Sequence, residues 1–368
     1  MHRIISFMKR EVVLSCATLL ALASMIFVPV DKAYRSYIDV RVLVTLFCLM
    51  LVIQAFIKYG LFSELSHRAL SWVKSTKVLA LVLVSLVFFC SMFVTNDVAL
   101  LTFVPLTMLL LSSFEERPVM FIVIMETIAA NLGSMALPFG NPQNLYLYSY
   151  YRMGFLSFFR CVAPVALVGY ILILACLSFA HLAVPFSENN QDREPIVKGK
   201  LVLSLVVFIL CILSVVRLVN YWISFFVVLG VFLWLDRSLF AKVDYSLLMT
   251  FVAFFVFVGN VGRVPSVSRF LQDSIQGHEF MFALLSSQVI SNVPAAILLS
   301  HFTNDGRALL LGTDIGGLGT LVASLASLIS FKVYCRARKA CKLRYLLWFS
   351  LYNVLFLIVL VLFVMLCP

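Results

Sequence analysis

Two short polar clusters interrupt long apolar stretches at matching positions in the two halves of the chain. The first cluster is Thr95-Asn96-Asp97 and the second is Ser291-Asn292. Hydroxyl, amide and carboxylate oxygens are suitable ligands for a hard cation, and hydroxyl and amide groups also hydrogen-bond an anion. Polar side chains are costly inside a membrane and are found there mainly where they serve a function. The clusters therefore predict an ion or substrate site.

Each polar cluster is followed by a segment in which glycine and polar residues break an apolar stretch. NLGSMALPFGNPQNLYLY (131–148) aligns with GLGTLVASLASLISFKVY (317–334). A break exposes helix ends, whose free N–H groups and carbonyls can hold an anion and a cation. Asn96, Asn141 and Asn292 are of the residue type favoured at helix N-caps. The candidate binding residues in the two segments are Gly133, Ser134, Asn141, Asn144, Gly319, Thr320, Ser324 and Ser327.

Three acidic residues lie within apolar stretches: Asp97, Glu126 and Asp314. A carboxyl group inside a membrane is a candidate carrier of a proton or a cation, and we assign Asp97 and Asp314 to the site. Glu126 fits equally well as a buried hydrogen-bonding residue. The sequence contains no GxSxG, HExxH or P-loop motif. We therefore expect neither an enzyme nor a resident cofactor.

Membrane helices are the elements that must position these residues. The chain has 368 residues, of which 63% are hydrophobic and only 12% charged, and its net charge is +11. Soluble domains are roughly half apolar and about a quarter charged, so this composition predicts an all-α polytopic membrane protein. The basic residues lie between apolar stretches, which indicates membrane topology rather than nucleic-acid binding. Uninterrupted spans are expected at 12–30, 39–57, 161–184, 200–217, 221–236, 245–262 and 345–366.

The interrupted stretches predict two re-entrant hairpins and two broken helices. The hairpins are expected at 78–112 and 279–301, and the broken helices at 119–150 and 308–334. Non-helical backbone at membrane depth is tolerated only inside protein or beside a water-filled cavity. Breaks at these positions therefore indicate a cavity that binds an ion or a substrate.

The two halves are expected to form an inverted-topology repeat, an arrangement frequent in secondary transporters. The first repeat is 1–186, the cytoplasmic linker is 187–199 and the second repeat is 200–368. The distribution of Lys and Arg predicts a cytoplasmic N-terminus and an external C-terminus, and the basic cluster at 332–344 is its strongest marker.

Four segments resemble signature segments of the ion transporter superfamily: TNDVALLTFVPL, LGSMALPFGNPQN, SNVPAAILL and GLGTLVASLASL. That group includes citrate–metal symporters, divalent anion/sodium symporters, arsenite permeases and NhaD-type sodium/proton antiporters. The resemblance implies a homodimeric elevator-type transporter whose hairpins and broken helices carry substrate in a mobile domain. It also implies sodium and carboxylate binding at Thr95-Asn96 and Ser291-Asn292. The third signature position departs from the threonine of the symporters, because Asp97 and Val293 occupy it.

The sequence thus predicts an ion-coupled secondary transporter of a small anion, a di- or tricarboxylate, in the cytoplasmic membrane. Sodium is expected at two places, near Thr95, Asn96, Asp97 and Gly133 and near Ser291, Asn292 and Gly319. Two alternatives remain open. In a sodium/proton antiporter Asp97 and Asp314 would exchange the two cations, and in a metalloid permease a neutral hydroxide would pass through the same site.

Overall fold

The computed structural model describes residues 11–70, 73, 75–112, 114–180, 197–337 and 342–367. In these residues the chain forms α-helices joined by short turns. The helices are α1 Val12–Phe27, α2 Tyr34–Tyr37, α3 Val40–Lys58, α4 Leu61–Leu70, α5 Thr76–Phe93, α6 Asn96–Leu110, α7 Glu116–Met135, α8 Pro142–Tyr150, α9 Phe155–Phe179, α10 Lys198–Val215, α11 Tyr221–Leu235, α12 Tyr245–Gly262, α13 Pro265–Ile275, α14 Glu279–Ile290, α15 Asn292–Ser300, α16 Gly306–Ile315, α17 Leu325–Ala337 and α18 Lys342–Leu366, with a 3₁₀ helix at Arg237–Lys242. Residues 187–196 of the expected linker and 338–341 of the basic cluster lie outside the described residues.

Seven helices of the described chain are long and apolar enough to cross a membrane: α3, α5, α7, α9, α10, α12 and α18. Helices α1, α6, α11 and α14 are also apolar but shorter. At 1.5 Å per residue, a helix of about 20 residues matches the thickness of the hydrocarbon core. The expectation of an all-α polytopic membrane protein is therefore confirmed, and re-entry of the hairpins stays a prediction.

Each of the four interrupted stretches contains a break between two helices. Residues 94–95 separate α5 from α6, and residues 136–141 separate α7 from α8. In the second half, α14 and α15 meet at Ser291, and residues 316–324 separate α16 from α17. The breaks coincide with the polar clusters and glycine-containing segments, so the candidate side chains lie at helix ends.

The helices pack in two groups. One, which we call the site group, consists of α5–α9 and α14–α18; the other, the panel, consists of α1, α3, α10–α12 and the 3₁₀ helix. Contacts of α3 with α8 and of α12 with α15 join the two groups, and α4 packs against both α3 and α5. Helix α7 is the most enclosed of the seven long helices, because 89% of its most apolar 18-residue stretch is buried. It therefore forms the centre of the site group.

Basic residues at the helix ends make local contacts. Lys58 pairs with Asp236, Lys77 donates to the carbonyl of Ser178 at 2.6 Å, and Arg344 lies 3.6 Å from Glu116. Each contact joins segments that the sequence places on the cytoplasmic side. The assignment of that face to the cytoplasm stays a prediction.

Arg263 joins α12 to the connection between α1 and α3. Its guanidinium lies 2.8 Å from the Asp31 carboxylate and donates to the Tyr37 hydroxyl at 3.1 Å. The hydrogen bond that Arg263 donates to the Asp31 carboxylate holds the pKa of Asp31 below its ordinary value. Arg263 therefore anchors one end of the panel.

Candidate functional site

Asn131, in the second half of α7, joins the two halves of the chain. Its Oδ1 accepts hydrogen bonds from Nδ2 of Asn96 and from Oγ of Ser324, both at 3.0 Å. The side chain is 6% exposed, and its Nδ2 has no partner among the described residues. A buried polar group without a partner costs about 1–3 kcal/mol, so this amide is a donor available to a bound molecule.

Asp314, at the end of α16, lies against the start of α8 in the other half. Its Oδ1 accepts from Nδ2 of Asn141 and Nε2 of Gln143, both at 3.4 Å. Oδ2 of Asp314 and Oδ1 of Asn144 are buried and have no hydrogen-bond donor in the described chain. Two such oxygens, one on a carboxyl group, can serve as cation ligands or as a proton acceptor.

Ser134 connects the Asn131 contacts to the Asp314 contacts. Its Oγ donates to the carbonyl of Asn131 at 3.0 Å and accepts from Nδ2 of Asn141 at 3.4 Å. The turn that brings these residues together is tight, because a Cβ atom at Gly140 would lie 2.2 Å from the carbonyl oxygen of Ser134. The polar chain therefore runs without interruption from Asn96 to Asp314.

Asn141 holds the start of α8 in the way predicted for a helix N-cap. Its Oδ1 accepts from the backbone N–H of Asn144 at 3.0 Å, and Pro142 follows at the first helical position. Proline is favoured there because its missing N–H would have no partner within the helix. The amide group of Asn141 thus caps the helix with its oxygen and contacts Asp314 with its nitrogen.

The two predicted hairpin tips share one local arrangement. The helices begin at Asn96 and Asn292, so Thr95 and Ser291 occupy the cap positions that the sequence assigned to the asparagines. Oδ1 of Asn96 accepts from the N–H of Asp97 at 3.0 Å, and Oδ1 of Asn292 accepts from the N–H of Val293 at 2.9 Å. Each cap therefore lies one residue earlier than predicted. An N-cap oxygen bonds the N–H two or three residues further along the chain, whereas each asparagine oxygen here bonds the N–H of the next residue.

The tips differ in backbone conformation. Thr95 is extended with φ −67°, whereas Ser291 has φ 72° and ψ 156°, a region that residues with a Cβ atom rarely adopt. Contacts to the break after α16 hold Ser291, since its Oγ donates to the carbonyl of Ala323 at 3.2 Å and the N–H of Asn292 donates to the same oxygen at 3.0 Å. The second tip therefore stores strain that the first does not.

Gly319 and Thr320 lie around Gln288 of α14 instead of around Asp314. Nε2 of Gln288 donates to the carbonyls of Gly316 and Leu318 at 2.7 and 2.9 Å, and its Oε1 accepts from the N–H of Thr320 at 2.9 Å. Gly319 has a positive φ of 103°, a backbone conformation that is strained for any residue with a Cβ atom. Thr320 is exposed. Gly319 itself is buried, so these two candidates lie in the break after α16, around Gln288, and only Thr320 reaches the surface.

The remaining candidates are buried acids and a hydroxyl. Oδ1 of Asp97 and Oγ of Ser327 are buried and have no hydrogen-bond partner in the described chain. Glu126 is fully buried in the contact between α7 and α6, where Oγ1 of Thr107 donates to its Oε1 at 2.5 Å. Oε2 of Glu126 is buried and has no hydrogen-bond partner in the described chain, so both interpretations of this residue stay predictions.

Sequence reasoning missed three residues of the site: Asn131, Gln143 and Gln288. Asn131 lies three residues before Ser134, and such residues are neighbours on one helix face. Gln143 directly follows the Asn141-Pro142 cap. Gln288 precedes the second tip by three residues and has no counterpart signal in the first half. Helical spacing from Ser134 could have identified Asn131, whereas Gln288 needed the tertiary structure.

Comparison with known proteins identifies relatives along most of the chain. The model of the citrate transporter family matches residues 4–305. The uncharacterised transporter MJ0456 of Methanocaldococcus jannaschii is 31% identical over 271 residues, which cover 73% of this chain and 74% of that protein. The inner membrane protein YbiR of Escherichia coli is 31% identical over 313 residues and 83% of each chain. The silicon efflux transporter LSI3 of rice is 33% identical over 159 residues, 41% of this chain and 32% of that protein.

Proposed function

Because the chain belongs to the citrate transporter family, we propose that it is a cation-coupled secondary transporter of a small carboxylate, with sodium as the coupling ion. The observation that carries the proposal is the polar chain from Asn96 to Asp314, which crosses between the two halves and retains buried polar atoms without partners. Such atoms are costly unless a ligand satisfies them. No resident cofactor is part of the proposal.

The cation would be held by oxygen atoms at the two tips. Near the first tip the ligands offered are Thr95, Asn96, Asp97 and the carbonyl of Gly133, and the unpartnered Oδ1 of Asp97 supports this assignment. Near the second tip the ligands are Ser291, Asn292 and Gly319. The carbonyls of Gly316 and Leu318, which flank Gly319, already accept from Gln288 and are not counted as ligands. The side chains of Ser291 and Asn292 would therefore supply most of the oxygen ligands at this tip.

The anion would be held by amide and hydroxyl donors and by helix N-termini. Helices α6 and α15 begin at residues of the polar clusters and α8 begins directly after Asn141, and the N–H groups of these first turns carry partial positive charge. If Asp97 and Asp314 were both ionised and no cation lay beside them, they would repel a carboxylate. A bound cation beside them removes that repulsion, which makes binding of the two solutes interdependent.

Alternating access would come from movement of the site group against the panel. The polar chain lies entirely within the site group, so the bound solutes would move with it. This is the elevator mechanism expected from the resemblance, and we extend it to a homodimer in which the panels meet.

Uptake by purified protein in liposomes tests the carboxylate proposal. Radiolabelled citrate and succinate are offered with an inward sodium gradient, an equal-sodium control and a pH-sensitive dye inside. We expect uptake of a carboxylate that rises with the sodium gradient. Asn96→Ala and Asn292→Ala should reduce uptake to the level of empty liposomes, whereas Asn353→Ala, a buried asparagine in α18, should keep it. Sodium-driven proton movement without carboxylate uptake would instead identify an antiporter.

A neutral metalloid hydroxide is the second candidate substrate. Part of the chain is similar to a silicon efflux transporter, and the described side-chain contacts of the site come from amides, hydroxyls and one acid, Asp314. Neutral hydroxyl groups can bond such a surface without a compensating cation. Flux of silicic acid or arsenite in the same liposomes, independent of sodium and unaffected by citrate, would favour this candidate over the carboxylate.

A further inference from the structure

A groove runs along the outside of the site group, away from the polar chain. It has a volume of about 770 Å³ and lies between α7, α9 and α18. The first turns of α7 and α18 and the last turns of α9 contribute to it, so these three helix ends lie together. Ligand sites in proteins commonly measure roughly 300–1,000 Å³, so the groove is large enough for a bound molecule.

The walls of the groove are apolar and its end is basic. The walls come from Phe121, Ile124, Leu172, Phe179, Trp348 and Tyr352, among others. The basic end is formed by Arg117 and Arg344, the two charged residues among the described lining. An amphipathic occupant with an apolar body and an anionic head matches this division.

The charge at the basic end is only partly compensated. Arg344 lies 3.6 Å from Glu116, whereas Arg117 is exposed and takes part in no salt bridge within the described residues. The N-terminus of α18 adds partial positive charge at the same end, whereas the N-terminus of α7 carries Glu115 and Glu116. The rings of Trp348 and Tyr352 stack with centroids 5.8 Å apart, and such aromatic residues are favoured at the level of lipid headgroups.

We propose that this groove binds one anionic phospholipid per chain, with the phosphodiester between Arg117 and Arg344 and an acyl chain along the walls of α7, α9 and α18. The site is distinct from the polar chain of the proposed transport site and does not depend on its substrate. A membrane supplies this occupant at high concentration, so modest affinity suffices for occupancy. Because α7 also carries Asn131, the lipid touches the helix at the centre of the site group.

Native mass spectrometry of the full chain in mild detergent tests the proposal. Delipidated protein is titrated with phosphatidylglycerol and, separately, with phosphatidylcholine of the same acyl chains. We expect one phosphatidylglycerol per chain and a preference of about tenfold over phosphatidylcholine, since each basic residue near a lipid surface contributes on the order of a fewfold in affinity. Equal binding of the two lipids would overturn the proposal.

Variants locate the lipid. Arg117→Gln/Arg344→Gln should weaken phosphatidylglycerol binding about tenfold. Arg160→Gln should not change it, because Arg160 is exposed near the opposite end of α9. Ala175→Trp places a large side chain among the groove walls and should also reduce binding, whereas Leu167→Trp on an exposed face of the same helix should not.

Further outcomes would contradict the assignment. Unchanged phosphatidylglycerol binding in either the arginine double variant or Ala175→Trp would place the lipid elsewhere. Displacement of the lipid by inorganic phosphate alone would show an anion site without an acyl-chain component. Size-exclusion profiles and carboxylate uptake measured on the same samples separate lost lipid binding from lost folding, and lipid loss with retained uptake would leave the transport proposal intact.

Discussion

At the residue scale, the amide of Asn131 determines how the two halves meet in the site. One oxygen accepts from Asn96 of the first tip and from Ser324 of the second broken stretch. A single acceptor that satisfies donors from both halves couples their positions, because movement of either leaves a buried donor unpaired. Such networks are stable when complete and costly when one member is removed.

Substitution of Asn131 tests that role. Asn131→Ala leaves Nδ2 of Asn96 and Oγ of Ser324 without their shared acceptor, and each lost partner costs about 1–3 kcal/mol. We expect a lower unfolding temperature and loss of transport. Asn353→Ala removes a buried asparagine whose Nδ2 bonds only within its own helix, to the carbonyl of Phe349, and should retain transport. Thermal unfolding and liposome uptake of both variants decide the matter, and equal uptake by the two would contradict the role of Asn131.

The strained backbone of Ser291 makes a second prediction at this scale. Ser291→Ala and Ser291→Gly both lose the hydroxyl bond to Ala323, but only glycine relieves the strain of φ 72°. The glycine variant should therefore be more stable than the alanine variant by about 1–3 kcal/mol. Ser287→Ala and Ser287→Gly, in the interior of α14, are the control pair. Here the alanine variant should be more stable than the glycine variant by about 1 kcal/mol, because glycine weakens a helix. Chemical unfolding in detergent measures both pairs, and the same order at both positions would refute the strain.

At the element scale, sequence patterns predicted the helices and breaks better than the contacts between them. Apolar length indicates a membrane helix without knowledge of its neighbours, and Asn141-Pro142 identifies a helix start by local chemistry. The asparagine caps at the tips were misplaced by one residue for the same local reason, since several polar neighbours compete for the cap. The Asn141–Asp314 contact spans 173 residues and depends on packing of α8 against α16, which no local pattern specifies.

The packing of α7 against α5 depends on Gly133. A Cβ atom there would lie 2.1 Å from the carbonyl oxygen of Phe88 and 2.3 Å from Oγ of Ser91, so the two helix backbones would have to separate. Gly133→Ala should cost at least about 1–3 kcal/mol and reduce the yield of folded protein. In α11, a Cβ atom at Gly230 would meet no atom within 4 Å. Gly230→Ala should therefore raise the free energy of unfolding by about 0.5–1 kcal/mol, because alanine favours the helix more than glycine does. Unfolding temperatures that shift in the same direction for both would show that the close approach is not required.

At the scale of the whole molecule, the panel and the site group meet through few polar contacts. Arg217, just after α10 of the panel, donates to the carbonyls of Tyr148 and Ser149 in α8 at 3.0 and 3.5 Å. Its guanidinium also lies 5.3 Å from the centre of the Tyr148 ring. An elevator movement must break these contacts in each cycle, whereas contacts within the panel can persist.

Cross-linking separates these two kinds of contact. In a background without native cysteines, Ser149→Cys/Arg217→Cys joins the two groups, and Lys58→Cys/Ser238→Cys joins α3 to the 3₁₀ helix within the panel, where Nζ and Oγ lie 2.6 Å apart. A short, reducible thiol cross-linker should abolish uptake in the first pair and leave it intact in the second. Reduction should restore uptake in the first pair, which excludes damage by the substitutions. Full uptake by the cross-linked first pair would rule out movement of the site group against the panel, because a covalent bridge cannot accommodate a displacement of the kind that carries a solute across a membrane.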